Sequence, residues 1–364
     1  MILCLVAQTL NYQRGYGRYA ITLIRGLVKK GFKLRVLILD SETDTIPKDL
    51  VDIVFPVLKN IPTSPLINPI RLYQDYRKIR EYSQKTDAIH FLTESHLATT
   101  VFGYNKPYIV TTHGTWAVKP LNSNIISRHI FSRGYKKANI VVSISNYTKK
   151  RILEQLKLNN IKVIYNGINY NLRYPKKFKS STFNFLSVGA LDKSKGFEIS
   201  LRAICKLNKK HNIKYTIVSG KKNINYEEKL REIADHFQYN NLTIKYQISD
   251  KELEKEYDNA DIFILTPVEI NNDFEGFGLI FVEAMAAGLP IIASDSGAIS
   301  EIVVDGITGY LAQENNVKDT ETKINKMIDH SEIRNKLVKN AQKYITNFSS
   351  DLFIQEYINL YKQL

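Results

Sequence analysis

Short apolar, β-branched runs alternate with amphipathic helical patterns along the whole chain. In the first half the runs that read as strands are Ile2–Val6, Lys33–Leu39, Ala88–Leu92, Tyr108–Thr112, Ile140–Ser145 and Lys162–Tyr165. In the second half they are Asn184–Val188, Tyr215–Ser219, Leu242–Tyr246, Ile262–Leu265 and Pro290–Ala293. Strands that alternate with helices predict βαβ units and parallel sheets. Two successive sets predict two doubly wound, Rossmann-like α/β domains in tandem. The polar, basic, proline-containing segment Asn171–Thr182 reads as the boundary. It separates a domain over 1–171 from one over 172–349. Ser349, Ser350 and Asp351 are good helix caps, and Phe353, Tyr357, Leu360 and Tyr361 recur at helical spacing. The apolar face of a terminal helix over 350–364 must therefore dock, either on its own domain or back on the first. In open α/β sheets ligands bind beyond the carboxyl ends of the strands. The chemistry is expected in the loops that follow them, at a cleft between the two sheets.

A length of 364 residues suits two domains. No stretch of about 18 apolar residues argues for a membrane-spanning helix. The opening run MILCLVAQTL reads as a first strand rather than a secretory signal, since it lacks a basic start and a small-residue cleavage site. Two distant cysteines, Cys4 and Cys205, exclude a disulfide framework and suit a reducing cytoplasm.

Charge changes the picture more. The chain carries a net +15, unevenly divided. Residues 1–179 hold 29 Lys and Arg against 10 Asp and Glu, a net of +19; the remainder is at −4. No acidic residue lies between Glu94 and Glu154. The first half is thus suited to an anionic partner: nucleic acid, a membrane surface or phosphorylated small molecules. Part of the Lys excess reflects a general richness in Lys, Asn, Ile and Tyr. Within Ile53–Tyr82 and Ile125–Lys137, Arg71, Arg77, Lys78, Arg80, Arg128, Arg133, Lys136 and Lys137 mix with aliphatic and aromatic residues, as in membrane-surface elements. An ordinary solvated face is the competing reading. No recognised nucleic-acid motif is present, so nucleic acid is not the expected partner.

The most informative segment is Glu275-Gly276-Phe277-Gly278-Leu279-Ile280-Phe281-Val282-Glu283, continuing to Pro290. It follows the strand Ile262–Leu265 and a loop. Phe281–Ala287 reads as a helix with Gly288 as its stop. Gly276 and Gly278 allow close approach of a ligand to the backbone. The N–H groups of Gly278 and Leu279 at a helix start suit a phosphate or sugar oxygen. Glu275 and Glu283 can each accept paired hydrogen bonds from vicinal hydroxyls. Helix capping by Glu275 and a solvated Glu283 are the plain alternatives. In the first half, Tyr12–Tyr19 carries Gly15 and Gly17 flanked by Arg14 and Arg18, and His113 follows the strand Tyr108–Thr112. A bare strand–helix turn and a structural histidine are the respective alternatives. The three-glycine dinucleotide fingerprint is absent, which argues against NAD. No His, Asp and Glu spacing suits a metal.

The segment from Glu275 to Pro290 resembles the signature of retaining glycosyltransferases of family 4, which have the GT-B fold: two glutamates with seven residues between them, beginning Gly-Phe-Gly. Further matches follow the family order: Tyr257-x-x-Ala-Asp261, Ser294–Gly297, Glu301–Val303, Asp305-Gly306-x-x-Gly309, and upstream Val188–Leu191 with Lys195-Gly196. They cover nearly all of 183–312, with weaker matches in the first domain. The resemblance implies that Glu275 holds hydroxyls of the donor sugar near the reacting centre. Phe277, Gly278 and Leu279 would offer N–H groups to the sugar and diphosphate. Glu283 would bind the ribose, and Lys195 would neutralise the leaving diphosphate. A fixed cation there has an independent rationale, because negative charge develops on the departing phosphate. Gly15, Gly17 and Arg18 would face the diphosphate from the first domain, and His113 would sit near the donor sugar. One departure stands out: the family carries Arg five residues before the lysine, where this chain has Ala190. Arg14 and Arg18 are the candidates to replace it.

The resemblance thus implies a metal- and cofactor-independent hexosyltransferase that uses a nucleotide-diphosphate sugar. Its acceptor would be a glycan or lipid-linked hydroxyl compound, as in polysaccharide or lipopolysaccharide assembly. The expected location is cytoplasmic, with peripheral attachment to the inner face of the membrane. The competing functions are a GT-B sugar-nucleotide epimerase or phosphorylase, and a non-enzymatic protein that binds anionic polymers.

Overall fold

The computed structural model describes residues 1–12, 14–60, 68–173 and 182–364. The boundary segment is therefore described only outside 174–181, and the Ile53–Tyr82 stretch only outside 61–67. The chain forms two compact units, residues 1–169 with 348–364, and residues 170–347.

The first unit is built on seven parallel strands: β1 (Ile2–Val6), β2 (Lys33–Leu39), β3 (Val54–Leu58), β4 (Ala88–Phe91), β5 (Tyr108–Thr112), β6 (Ile140–Ser143) and β7 (Ile161–Val163). They lie in the order β3-β2-β1-β4-β5-β6-β7. The second unit has six: β8 (Thr182–Val188), β9 (Asn212–Ser219), β10 (Leu242–Tyr246), β11 (Ile262–Leu265), β12 (Ile291–Ser294) and β13 (Tyr310–Ala312), in the order β10-β9-β8-β11-β12-β13. Each sheet has one place where the strand order reverses, between β1 and β4 and between β8 and β11. Such switch points are where open α/β sheets bind ligands.

Two strands were not legible as strands. β3 contains Pro56, which cannot donate to a ladder and is tolerated because β3 is an edge strand. β13 is three residues long and also at an edge.

Both faces of the first sheet are covered. On one face Leu3, Leu5, Val36 and Ile38 share a core with the helix Gly15–Lys29 and the terminal helix Ser350–Tyr361. The terminal helix belongs to this unit: Phe353, Ile354, Tyr357, Ile358, Leu360 and Tyr361 are all buried in that core. The helices fit closely, since a Cβ on Gly26 would overlap Ile354. On the other face the helices Pro69–Ser83 and Ile125–Lys137 both pack on the 3-10 helix Glu94–Phe102. No helix among the described residues is long and apolar enough to cross a membrane.

Candidate active site

In the second unit the loops at the β8/β11 switch point converge on one ion pair. β8 leads through Gly189 to a short 3-10 turn, Lys193–Lys195, capped by the Asp192 side chain, which accepts from Ser194 N. Gly196 then has φ +64°, and a Cβ there would overlap the carbonyl oxygen of Thr266 in the loop after β11. Only glycine meets both demands. Thr266 Oγ1 donates to Gly196 O at 2.8 Å, and Val268 N to Ser194 O at 2.9 Å. The two loops are thereby sewn together, and Lys195 Nζ lies 2.7 Å from Glu275 Oε2.

Glu275 is held from a third side. Ala298 N donates to Glu275 O at 2.9 Å, and Gly297, at φ +59°, packs where a Cβ would press on the Glu275 backbone. Burial pushes the Glu275 carboxyl up, but Lys195 and the N–H groups of Phe277 and Gly278 outweigh it, and it stays below its ordinary value. Burial likewise disfavours the charge on Lys195; Glu275, with Asp273 and Asp192, more than restores it. Both members are therefore ionised at neutral pH. Lys195 keeps 26% of its side chain exposed and Glu275 18%, so a ligand can reach the pair.

The helix that follows is Leu279–Ala286, two residues earlier than periodicity alone predicts. Gly278 is its N-cap at φ 90°, a conformation disfavoured for residues with a Cβ. This brings Phe277, Gly278 and Leu279 to the electropositive helix start, beside Glu275. Phe277 is buried. Glu283 lies on the same helix, where Tyr257 OH donates to its Oε2 at 3.4 Å. The structure thus gathers Lys195, Glu275, Phe277, Gly278, Leu279 and Glu283 in one unit. Ala190 stands exposed in the loop after β8.

The first unit holds the remaining candidates. Gly15 and Gly17 are in the first turn of the helix Gly15–Lys29 rather than in a free loop. A Cβ on Gly17 would overlap Asn11 O, so close backbone packing is itself a reason for glycine there. Arg18 Nε donates to Tyr12 O at 2.9 Å and its guanidinium lies over the Tyr12 ring. Arg14 is held by Glu42 at 3.1 Å.

His113, directly after β5, is buried between Tyr16 and Tyr19, whose rings meet it edge-on at 5.1 and 4.7 Å. Its Nε2 is 2.8 Å from Leu92 O. A carbonyl only accepts, so Nε2 carries the proton and Nδ1 presents a lone pair. His113 can therefore accept a hydrogen bond but has no further donor. Burial, partly offset by the Leu92 carbonyl, lowers its pKa to about 4.

Sequence reasoning missed Glu94. It lies just past β4, at the β1/β4 switch point, and its Oε1 accepts from His113 N. Burial, opposed by the N–H groups of His113 and of Glu94 itself, raises its pKa to about 7. Its signal was an acid directly after an apolar strand. Next to it, Asp75 Oδ1 accepts from Lys59 N at 2.9 Å, His96 Nε2 lies 3.2 Å from Lys59 O and 3.3 Å from Asp75 Oδ2, and Ser95 Oγ meets His96 Nδ1 at 3.2 Å. That chain ties helix Pro69–Ser83 to the loop after β4.

These shifts give opposite pH dependences. His90, lowered to about 3 by burial and then by His113, and His113 stay neutral when folded. In the unfolded chain they protonate below about 6.5, so their contribution is complete above pH 6.5 and is lost as pH falls toward 4 and 3. Glu94 contributes fully below about pH 4.5, and its contribution is lost as pH rises through about 7. Glu94→Gln is expected to flatten the fall in melting temperature between about pH 5 and 8. An unchanged slope would show that Glu94 is ionised at low pH like an ordinary carboxylate.

The model described as "Glycosyl transferases group 1" matches residues 171–344, and that described as "Glycosyltransferase Family 4" matches 14–172. A glycosyltransferase of Methanocaldococcus jannaschii with no further assignment is 31% identical over 360 residues, covering 94% of this chain and 93% of the relative. The capsular polysaccharide biosynthesis glycosyltransferase CapM of Staphylococcus aureus is 24% identical over 243 residues, 62% of this chain and 61% of CapM. Among solved structures, Anabaena HepE in complex with UDP superposes with a TM-score of 0.81 at 18% identity over the full length of both chains. Sucrose-phosphate synthase from Thermosynechococcus elongatus superposes with a TM-score of 0.81 at 18% identity, covering 100% of this chain and 98% of that one.

Proposed function

This chain belongs to glycosyltransferase family 4, with the GT-B fold, and on that premise we propose that it is a retaining, nucleotide-sugar-dependent hexosyltransferase. The acceptor we propose is a hydroxyl of a glycan or lipid-linked precursor. The observation that carries the reading is the Lys195–Glu275 pair, 2.7 Å apart at the β8/β11 switch point and beside the start of helix Leu279–Ala286. A sugar nucleotide needs both halves of that arrangement. The ammonium and the helix-start N–H groups suit the diphosphate, and the carboxylate suits sugar hydroxyls. Glu283 is the candidate for the ribose hydroxyls. UDP in HepE and capsular polysaccharide synthesis for CapM support the donor and acceptor classes proposed here.

The proposed step breaks the bond from the sugar anomeric carbon to the β-phosphate oxygen and forms one to the acceptor oxygen on the same face. The acceptor proton passes to the departing phosphate oxygen. Lys195 stabilises the charge that develops there, a task otherwise suited to a metal ion, so we propose that no metal takes part. Glu275 holds the sugar through the oxocarbenium-like state. His113, in the first unit, is proposed to accept from a sugar hydroxyl through Nδ1.

The test is a panel of labelled nucleotide sugars offered with glycan acceptors, with the product anomer read by NMR. Transfer with the donor's anomeric configuration is expected. An inverted product would overturn the retaining assignment, and an altered sugar released without acceptor would point to an epimerase.

A further inference from the structure

His113 is held by one short stretch of chain. Leu92 O accepts from its Nε2 at 2.8 Å, and Glu94 Oε1 accepts from its backbone N–H. Leu92 and Glu94 thus grip both the ring and the main chain of the residue that presents Nδ1. Tyr16 and Tyr19 pack edge-on against the same ring and restrict its turning. The stretch is itself anchored. Leu92 N donates to Val6 O at 2.8 Å. Thr93 Oγ1 and Ser95 Oγ, from the two neighbours of Glu94, lie 3.0 Å apart, and Ser95 leads through His96 to Asp75 and the Lys59 carbonyl. Thr93, Glu94, Ser95 and His96 are all buried. A side chain that places another one needs such support.

The residue type at this point is informative. Glu94 is 2% exposed. The buried titratable groups on the elements packed around it are Asp75 and Tyr76 of helix Pro69–Ser83, Tyr135 of helix Ile125–Lys137, His90 of β4, Tyr108 of β5 and His113 after it, with His96 on its own 3-10 helix. The Tyr135 hydroxyl is pushed up by burial and then by Glu94. The Arg and Lys side chains of the two long helices are exposed. Among the described residues no lysine or arginine ion-pairs with this carboxyl, and its ionised form is held by two backbone N–H groups alone.

The fold alone would be served better by glutamine. Its carbonyl accepts the same bond from His113 N without the cost of burying a charge. An ionisable group at this point, one hydrogen bond from a site residue at the β1/β4 switch point, implies a use for its charge.

We propose that Glu94 is the positioning residue of His113, and that ionisation of its carboxyl tightens the hold on the His113 main chain and so strengthens the hydrogen bond that Nδ1 accepts from a sugar hydroxyl. This rests on the role proposed for His113 toward the donor. A hydrogen bond to a carboxylate is roughly twice as strong as one to a neutral carbonyl. Burial has pushed the Glu94 carboxyl up to about 7, so the donor KM falls as pH rises through neutrality. Stability moves the other way. The folded-state value lies above the unfolded one, so the contribution of Glu94 is complete below about pH 4.5 and is lost as pH rises through about 7. A residue that only stabilised the fold would make donor affinity and stability fall together.

The test is donor KM and kcat between about pH 6 and 8 for the full chain, with UDP-glucose as the first donor probe, beside melting curves and nitrogen-15 spectra of the histidine rings. The unsubstituted chain should show a KM about three- to tenfold lower at the upper end, with a smaller change in kcat. Glu94→Gln, which keeps the shape and the acceptor, should hold the low-pH KM throughout. Glu94→Ala should raise KM about tenfold at every pH. The His113 Nε2–H signal, assigned by its loss in His113→Asn, should persist in Glu94→Gln and broaden by exchange with water in Glu94→Ala. A KM that still falls with pH in Glu94→Gln would overturn the proposal. So would Glu94→Ala with an unchanged KM, or with an unchanged Nε2–H signal. The ring spectra need no turnover: a chain that transfers no sugar yet shows the expected Nε2–H response would support the positioning role while sinking the transferase reading.

Discussion

Glu275→Gln is expected to bind a nucleoside diphosphate more tightly than the unsubstituted chain while losing most of its transfer activity. The Glu275 carboxylate lies 2.7 Å from the Lys195 ammonium. A diphosphate that recruits Lys195 must therefore displace a carboxylate, and must do so beside its negative charge. Two unit charges about 6 Å apart at an effective dielectric near 20 repel by roughly 3 kcal/mol, an upper bound for a site open to water. Removing the charge while keeping the shape should thus tighten diphosphate binding by about five- to thirty-fold. The complete donor behaves differently. In the proposed complex its sugar hydroxyls would donate to Glu275 once Lys195 has turned to the phosphate, and hydrogen bonds to a charged acceptor are worth about 1.5–3 kcal/mol each. Transfer by the glutamine variant should fall by about ten- to several-hundred-fold. Lys195→Ala separates the two effects, since it should weaken diphosphate binding and slow transfer together. Calorimetry with a panel of nucleoside diphosphates, beside transfer rates, reads both. Weaker or unchanged diphosphate binding by Glu275→Gln would show that the carboxylate does not compete for Lys195.

This competition was not legible in the sequence, although both residues were. Glu275 through Glu283 could be read because the chemistry is local. Two acids, two glycines and a helix start lie in nine consecutive residues, and Gly278 at φ 90° shows why a glycine was needed. Lys195 was read only through the family resemblance, in which Lys195-Gly196 follows Val188–Leu191. What linear reasoning could not supply is that Gly196 and Gly297 let three loops close on one point. That follows from overlaps with Thr266 and with the Glu275 backbone, distant in sequence from the glycines they constrain. Glu94 was missed for the same reason. It touches His113 across nineteen positions, and an acid shortly after an apolar strand does not by itself show that it is buried. Arg14 and Arg18 were read, from their place flanking the glycine loop, as candidates to replace the arginine missing at Ala190. The fold engages Arg14 with Glu42 and Arg18 with the Tyr12 carbonyl. The alternation of strands and helices was legible nearly everywhere, and it failed at Pro56 and at the three residues of β13, where edge position overrides propensity.

The terminal helix carries the largest expected effect on stability. Sequence periodicity showed that its apolar face must dock but left two docking sites open; it packs on the first unit. Six of its side chains are buried in that unit's core, and at about 1.5–3 kcal/mol each their burial contributes on the order of 10 kcal/mol. That is comparable with the whole net stability of a typical domain, about 5–15 kcal/mol. A chain ending at Asn347 is therefore expected to lose the folded first unit, seen as a loss of the corresponding far-ultraviolet signal and as aggregation. A truncated chain that melts like the full one would show the helix to be dispensable. The finer test is Tyr357→Phe, because the docking surface is also polar. Tyr357 OH meets Tyr19 OH at 2.7 Å and Thr111 Oγ1 at 2.9 Å. Tyr19 OH donates to Thr111 Oγ1 at 2.9 Å, and His90 bridges Thr111 and Tyr361 at 2.9 and 2.7 Å. Five protons serve five contacts only if Thr111 donates to Tyr357, His90 Nε2–H donates to Thr111, and Tyr361 donates to Nδ1. Removing the Tyr357 hydroxyl leaves Tyr19 and Thr111 each short of one bond, at a cost of about 1–3 kcal/mol. Because the Tyr19 ring also packs on His113 at 4.7 Å, the loss should reach beyond stability, with a raised KM for the donor and little change in kcat. A variant that is destabilised with unchanged KM would confine the network to holding the helix.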